Sequence, residues 1–235
     1  MKRSFHFLSA VTFLFSILIT TLNASIPSSR NQDQHASIGL WKSLQRGNKM
    51  YIHNKKFARQ RAYVAGHQNP HVVVLGCSDS RVTPEFIFNK KIGELFVIRT
   101  AGNVADDADI DSINYSLGHH ETHLIVVMGH THCGAVEGAI DHLKKNNGKI
   151  DPENGTLNAV LIPIEKCIVA NKIDIYAPDA VEKSVRANVH CVAYHLIRRS
   201  PDIKNAVNSG RVAIIGAEYS LETGNVKELF RIEKF

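Results

Sequence analysis

"HVVVLGCSDSR" occupies residues 71–81, and its two halves differ sharply in chemistry. The first half is β-branched and continuous, as a strand covered on both faces would be. Such a strand belongs in a parallel sheet with helices packed on either side. The second half, Gly76 to Arg81, sets a thiol, two hydroxyls, a carboxylate and a guanidinium at the strand's end. A connecting loop has no need of Cys77, Asp79 and Arg81 so close together.

The rest of the chain repeats the strand signal at intervals. "ELFVIRT" (94–100) and "HLIVVMG" (123–129) read as two further strands. "GRVAIIGAEYSLETGNVKELF" (210–230) reads as a strand, a turn at "TGN" and a second short strand. Between them, "DIDSINYSLGHHE" (109–121) opens with acidic residues and places Ile110, Ile113 and Leu117 at helical spacing. "GAVEGAIDHLKK" (134–145) is a helix that stops near Asn146 to Gly148, and 156–200 is mainly helical with an interruption around Pro178. Strands alternating with helices give an α/β fold with a mainly parallel central sheet flanked by helices. Residues 35–66 form a helical arm with a possible break at Gly47. A minimal sheet domain has no obvious place for that arm, which is expected to pack across a partner subunit.

With 235 residues, 44% hydrophobic and 21% charged, the chain has the size and composition of one globular domain plus extensions. Its formal charge of +6 comes partly from Lys2 and Arg3, and no basic block is interleaved with aromatics, so no nucleic-acid partner is expected. Residues 1–25 read as a signal peptide: a short basic start, the apolar stretch "LSAVTFLFSILITTL", and small residues at Ala24 and Ser25 suited to cleavage. The alternative is a retained anchor, for which the stretch is short against the roughly 20 residues of a span. The expected organisation is therefore a signal peptide at 1–25 and a single domain at 26–235 that includes the arm at 35–66. In a Gram-negative bacterium such a chain is periplasmic, with no stable membrane span after cleavage.

Cys77, Cys133, Cys167 and Cys191 are the four cysteines. Cys167 and Cys191 lie in helix-like segments without metal-ligand neighbours and read as small buried apolar groups, with a disulfide as the lesser alternative. Cys77 and Cys133 differ, because each follows a strand and stands beside other metal-ligand types. Sites in open α/β sheets form beyond the carboxyl ends of strands. If the first and third strands are neighbours, Cys77 lies near "GHTHCGAV" (129–136), with His130, His132 and Cys133. Thiolate and imidazole together favour tetrahedral Zn²⁺.

His130 and Cys133 form an H-x-x-C pair that a turn into a helix can bring onto one ion. His132 adjoins Cys133, and adjacent side chains usually diverge, so His130 is the favoured ligand. Three ligands suit a catalytic zinc. A closed structural zinc, or cysteines that are merely buried or bridged, are the other readings. Asp79 is either a fourth ligand or an acceptor for a metal-bound water, and Arg81 two residues on can hold it.

"CSDSR" after a strand, followed some fifty residues later by "GHTHCGAV", resembles the β-class carbonic anhydrases. "ELFVIRTAGNVA" and "IDSINYSLGHHETHLIVVMGH" extend the resemblance, which runs from about Leu44 to Leu221. It implies one Zn²⁺ per subunit on Cys77, His130 and Cys133, and reversible hydration of CO₂ to bicarbonate and a proton. It implies that zinc-bound hydroxide is oriented by Asp79, itself paired to Arg81. It assigns substrate binding to the amide of Gln68, to the backbone N–H of Gly134, and to Phe96 and Ala101 as apolar lining. It implies an antiparallel edge strand on the parallel sheet, and a homodimer or homotetramer. A tryptophan that some bacterial members use for an inhibitory bicarbonate site is replaced here by Val74, so that site is expected to be absent. A CS₂ or COS hydrolase of the same fold would carry the same active-site residues.

Overall fold

The computed structural model describes residues 29–153 and 156–235; the signal segment expected at 1–25 lies outside the described residues. The chain divides into two units, one ending at His53 and one running from Asn54 to Phe235. In the first, Ser29–His53 forms a single helix, α1. Gly47 does not break it. A lone glycine costs a helix only about 1 kcal/mol relative to alanine. The break falls at Asn54, whose side-chain oxygen accepts from the backbone N–H groups of Lys56 and Phe57 and so caps the next helix, α2 (Lys55–Val64).

The second unit is built on five strands: β1 (Val72–Cys77), β2 (Leu95–Thr100), β3 (Leu124–His130), β4 (Ala213–Tyr219) and β5 (Val226–Ile232). They lie in the order β2-β1-β3-β4-β5. The first four are mutually parallel and β5 pairs antiparallel with β4 at the edge. The helices are α3 (Pro84–Ile87), α4 (Asp107–His119), α5 (Gly134–Lys145), α6 (Asn158–Ala170), α7 (Ala180–Arg199) and α8 (Pro201–Asn208). The α/β class, the parallel core and the antiparallel edge are as expected. Helix α8 is an addition, started by the Ser200 hydroxyl, which accepts from the N–H of Ile203, with Pro201 in the first turn.

Side chains alternate along a strand, so Val73, Leu75 and Cys77 share one face of β1 and Val74 and Gly76 the other. On the first face Val73, Leu75, Ile98, Ile125, Val127 and Ile214 pack against apolar residues of α4, α7 and α8. On the second, Val74, Val126 and Met128 pack with Val82 and Ala217, with Ile87 of α3 beside them. A third cluster joins α5, α6 and α7 and includes both Cys77 and Cys133. Helix α7 lies hard against β3. A Cβ at Gly129 would come within 2.7 Å of Val189 Cγ2 and 3.0 Å of Val185 Cγ1. Only glycine allows that approach, one residue before His130.

Cys167 and Cys191 are disulfide-bonded, which corrects the expectation of two separate buried thiols. They are 24 residues apart in sequence, and the packing of α6 against α7 brings their Cα atoms to 6.2 Å, within the range a bridge requires. No helix of the described residues is long and apolar enough to cross a membrane.

Candidate metal centre

Because β1 and β3 are adjacent and in register, with Gly76 opposite Met128, their carboxyl ends put Cys77 beside His130. Cys133 stands at the N-cap of α5, three residues further on. The sulfur atoms of Cys77 and Cys133 and a ring nitrogen of His130 lie within 4.8 Å of one another, and all three residues are buried. Among the described residues this is the one group of three or more such donors.

Its chemistry fits a divalent cation. His130 is fully buried, and its Nδ1–H donates to the carbonyl of Thr131 at 2.8 Å. That bond leaves Nε2 as the acceptor nitrogen, and Nε2 has no hydrogen-bond partner. A buried acceptor without a partner is costly, and a metal ion satisfies it. A hydrogen bond from Cys133 draws the pKa of Cys77 down, with help from the N–H groups of Asp79 and Gly102, while the same pairing pushes Cys133 up. Zn²⁺ suits two thiolates and an imidazole.

The second candidate histidine goes elsewhere. His132 takes a left-handed backbone (φ 52°) and its Nε2 lies 2.7 Å from Glu222 Oε1, out in solvent. Glu222 also accepts from the hydroxyls of Thr131 and Ser220. These bonds, together with its own backbone N–H, hold its carboxyl down at about 2.

Asp79 is turned toward Arg81. Arg81 Nε donates to Oδ1 at 2.9 Å and Nη2 to Oδ2 at 2.7 Å, and the backbone N–H of Arg81 adds a third bond to Oδ1 at 2.9 Å. The guanidinium holds the carboxyl of Asp79 well below the usual carboxylate range. Asp79 Oδ2 stands 4.0 Å from His130 Nε2. It is therefore an ionised acceptor beside the donor triad. Three donors converge on the centre.

Arg99 shapes the turn that carries these groups. From β2 its Nε donates to the carbonyl of Cys77 at 3.0 Å and its Nη2 to the carbonyl of Asp79 at 2.6 Å. An arginine inside the otherwise apolar "ELFVIRT" was the available signal for it. Ala101 follows directly on Thr100, which pairs with Cys77, so it borders the same centre. Gly134 is the first residue of α5, so its N–H has no intrahelical partner, and the space where a Cβ would stand is open.

Gln68 and Phe96 are not brought to Cys77 within one chain. Gln68 precedes the amino end of β1, in a cavity of about 700 Å³ shared with Arg59, Tyr63, His67 and Lys90. Phe96 pairs with Val73, also near that end, and lies against Tyr115 and His120. Phe96 thus stands four residues, roughly 13 Å, back along the sheet from Cys77, and Gln68 lies further back, before β1 begins.

A donor triad at the carboxyl edge of a parallel sheet, with a carboxylate fixed beside it, is a site that could hold a metal ion in an α/β protein. Comparison with known proteins specifies which. The carbonic anhydrase family profile matches residues 72–226. Carbonic anhydrase 2 of Mycobacterium tuberculosis is 33% identical over 192 residues, covering 80% of this chain and 90% of the relative. The carbonic anhydrase of Mycolicibacterium smegmatis is 32% identical over 195 residues, covering 81% and 92%. Among solved structures, the Coccomyxa β-carbonic anhydrase in complex with acetazolamide superposes with a TM-score of 0.68 at 27% identity, over 83% of this chain and 87% of that one. The chain belongs to the carbonic anhydrase family, in its β class. It is a carbonic anhydrase, an enzyme of CO₂ hydration, and Cys77, His130 and Cys133 form a site that could bind zinc.

Proposed function

We propose that the chain binds one Zn²⁺ through Cys77, His130 and Cys133 and hydrates CO₂ reversibly, with the Asp79–Arg81 pair orienting the attacking oxygen. The observation that carries this reading is the engagement of both Asp79 oxygens by Arg81 beside the three-donor centre. Zinc in such a donor set supplies Lewis acidity, which lowers the pKa of a coordinated water from about 16 toward about 7. The chain's own residues do the rest. Asp79 can only accept, so it takes the O–H of the nucleophile and turns its lone pair toward CO₂. Arg81 keeps Asp79 ionised and in place. The N–H of Gly134 is offered to the oxygen on which charge develops. Ala101 supplies apolar contact for a substrate without charge.

Gln68 and Phe96 serve substrate binding in this reading by reaching the centre of a second subunit; their place toward the amino end of the sheet, away from their own Cys77, supports that arrangement. A homodimer is the smallest assembly that completes the site; a homotetramer pairs two of them. The exposed apolar side chains of α1, among them Leu40, Trp41, Leu44 and Met50, support such an association. The Cys167–Cys191 disulfide supports export through the segment at 1–25 into an oxidising compartment such as the periplasm.

Stopped-flow CO₂ hydration by the mature protein, with zinc quantified in the same sample, tests the proposal. Hydration between pH 7 and 9 at one zinc per chain is the expected result. Full zinc with no hydration, or turnover of CS₂ or COS in its place, overturns it.

A further inference from the structure

Cys77 receives a hydrogen bond that no motif in the sequence announces. The backbone N–H of Gly102 donates to its Sγ at 3.3 Å, in the buried interior. Gly102 has φ 65° and ψ 20°, the left-handed region, and a Cβ there would stand 2.8 Å from Ile164 Cδ1 and 3.0 Å from Ala135 Cβ. Both the backbone angle and the packing of α5 and α6 therefore require glycine. Glycine is also the residue least able to hold its own conformation. Something else must fix the direction of its N–H.

Asn188 supplies that hold. It sits on α7, 1% exposed, and its Nδ2 donates to the carbonyl of Gly102 at 2.8 Å. Its helical neighbours Val185 and Val189 lie against Gly129, so α7 itself is seated on β3 beside His130. An asparagine in a helix interior has low intrinsic propensity, and here it is buried. With the Gly102 carbonyl anchored and the glycine walled in by Ile164 and Ala135, the N–H is aimed at the Cys77 sulfur. A donor aimed at a ligand thiolate draws charge from it and fixes its lone pairs, as outer hydrogen bonds do at metal sites.

We propose that Asn188 is a positioning residue for the metal ligand Cys77, acting through the peptide of Gly102. The proposal rests on the reading that Cys77 ligates zinc. The full-length zinc-loaded protein and its Asn188→Ala variant are compared by the rate of zinc release to a chelator and by the thiolate-to-metal charge-transfer band after cobalt(II) substitution. Release about 10-fold faster in the variant is expected, with a shifted band. Val192→Ala is the control: buried on the same helix one turn on, it loosens α7 without touching Gly102 and should move neither readout. Unchanged release and an unchanged band in Asn188→Ala overturn the proposal, and so does an equal effect from Val192→Ala. If Asn188→Ala does not fold, the wild-type protein loaded with ¹¹³Cd decides. Scalar coupling between cadmium and the Gly102 amide proton supports the proposal and its absence overturns it. A wild-type protein that takes up no zinc overturns the metal reading itself, and this inference with it.

Discussion

Arg81 holds Asp79 by both carboxylate oxygens and once more through its backbone N–H, while Asp79 Oδ2 stays 4.0 Å from His130 Nε2. The sequence left open whether this carboxylate joins the metal or serves beside it. The three bonds to Arg81 favour the second role, because a bidentate guanidinium competes for the same oxygens a metal would need.

Asp79→Asn should therefore keep zinc at one per chain and lose about 10- to 100-fold in kcat/KM, the scale of a lost partner beside a metal site. The amide can no longer act as an acceptor at both oxygens, and Arg81 loses its charge partner. Metal analysis and stopped-flow hydration on one preparation check this. Loss of zinc instead would make Asp79 a ligand.

The two histidines of "GHTHC" should separate cleanly. His130→Ala removes the buried Nε2 and should abolish stoichiometric zinc, whereas His132→Ala only removes one partner of the exposed Glu222 and should retain it. Zinc content by atomic absorption distinguishes them; the reverse pattern would refute the choice of ligand.

Subunit mixing tests the placement of Gln68. Gln68→Ala and Cys77→Ser should each be nearly inactive. Refolded together in equal amounts, they should recover about a quarter of wild-type activity, because half of the dimers are mixed and each mixed dimer holds one intact site. No recovery would mean that Gln68 acts within its own chain.

Glu222 gives a pH dependence with a definite sign. Its folded pKa, about 2, lies below the ordinary 4.5, so the carboxylate is favoured by folding. The stability it contributes is present above about 4.5 and is lost as pH falls from there toward 2. Denaturant unfolding of wild type and Glu222→Gln should differ by a constant amount above pH 5 and converge in acid. A gap that widens in acid would contradict this.

Opening the Cys167–Cys191 bridge should lower stability by about 3 kcal/mol, since it closes a loop of 24 residues. Thermal unfolding of Cys167→Ser/Cys191→Ser against wild type measures the loss. Equal melting temperatures would show that the packing of α6 on α7 needs no covalent link.

How much of this could be read before the structure depended on how local each signal was. β-branched runs and their spacing were enough to place β1, β2 and β3, and the Asn54 cap shows why the break assigned to Gly47 moved. Arg99 left a trace, a charge inside an apolar strand. Asn188 left none, because a buried asparagine looks like any polar residue of a helix until its partner, 86 residues away, is known.

The sequence by itself determined the α/β class, the donor types at Cys77, His130 and Cys133, and the neighbouring Asp79 and Arg81. Those depend on residue chemistry and on contacts within a few positions of the chain. Tertiary structure alone decided that Asp79 faces Arg81, that His132 turns out to Glu222, and that Cys167 bonds to Cys191. It also decided that Gln68 and Phe96 lie toward the opposite end of the sheet from the centre and that Asn188 reaches Gly102. Each of these follows from which strands pair and which helices pack, and the close packing of the whole interior fixes both.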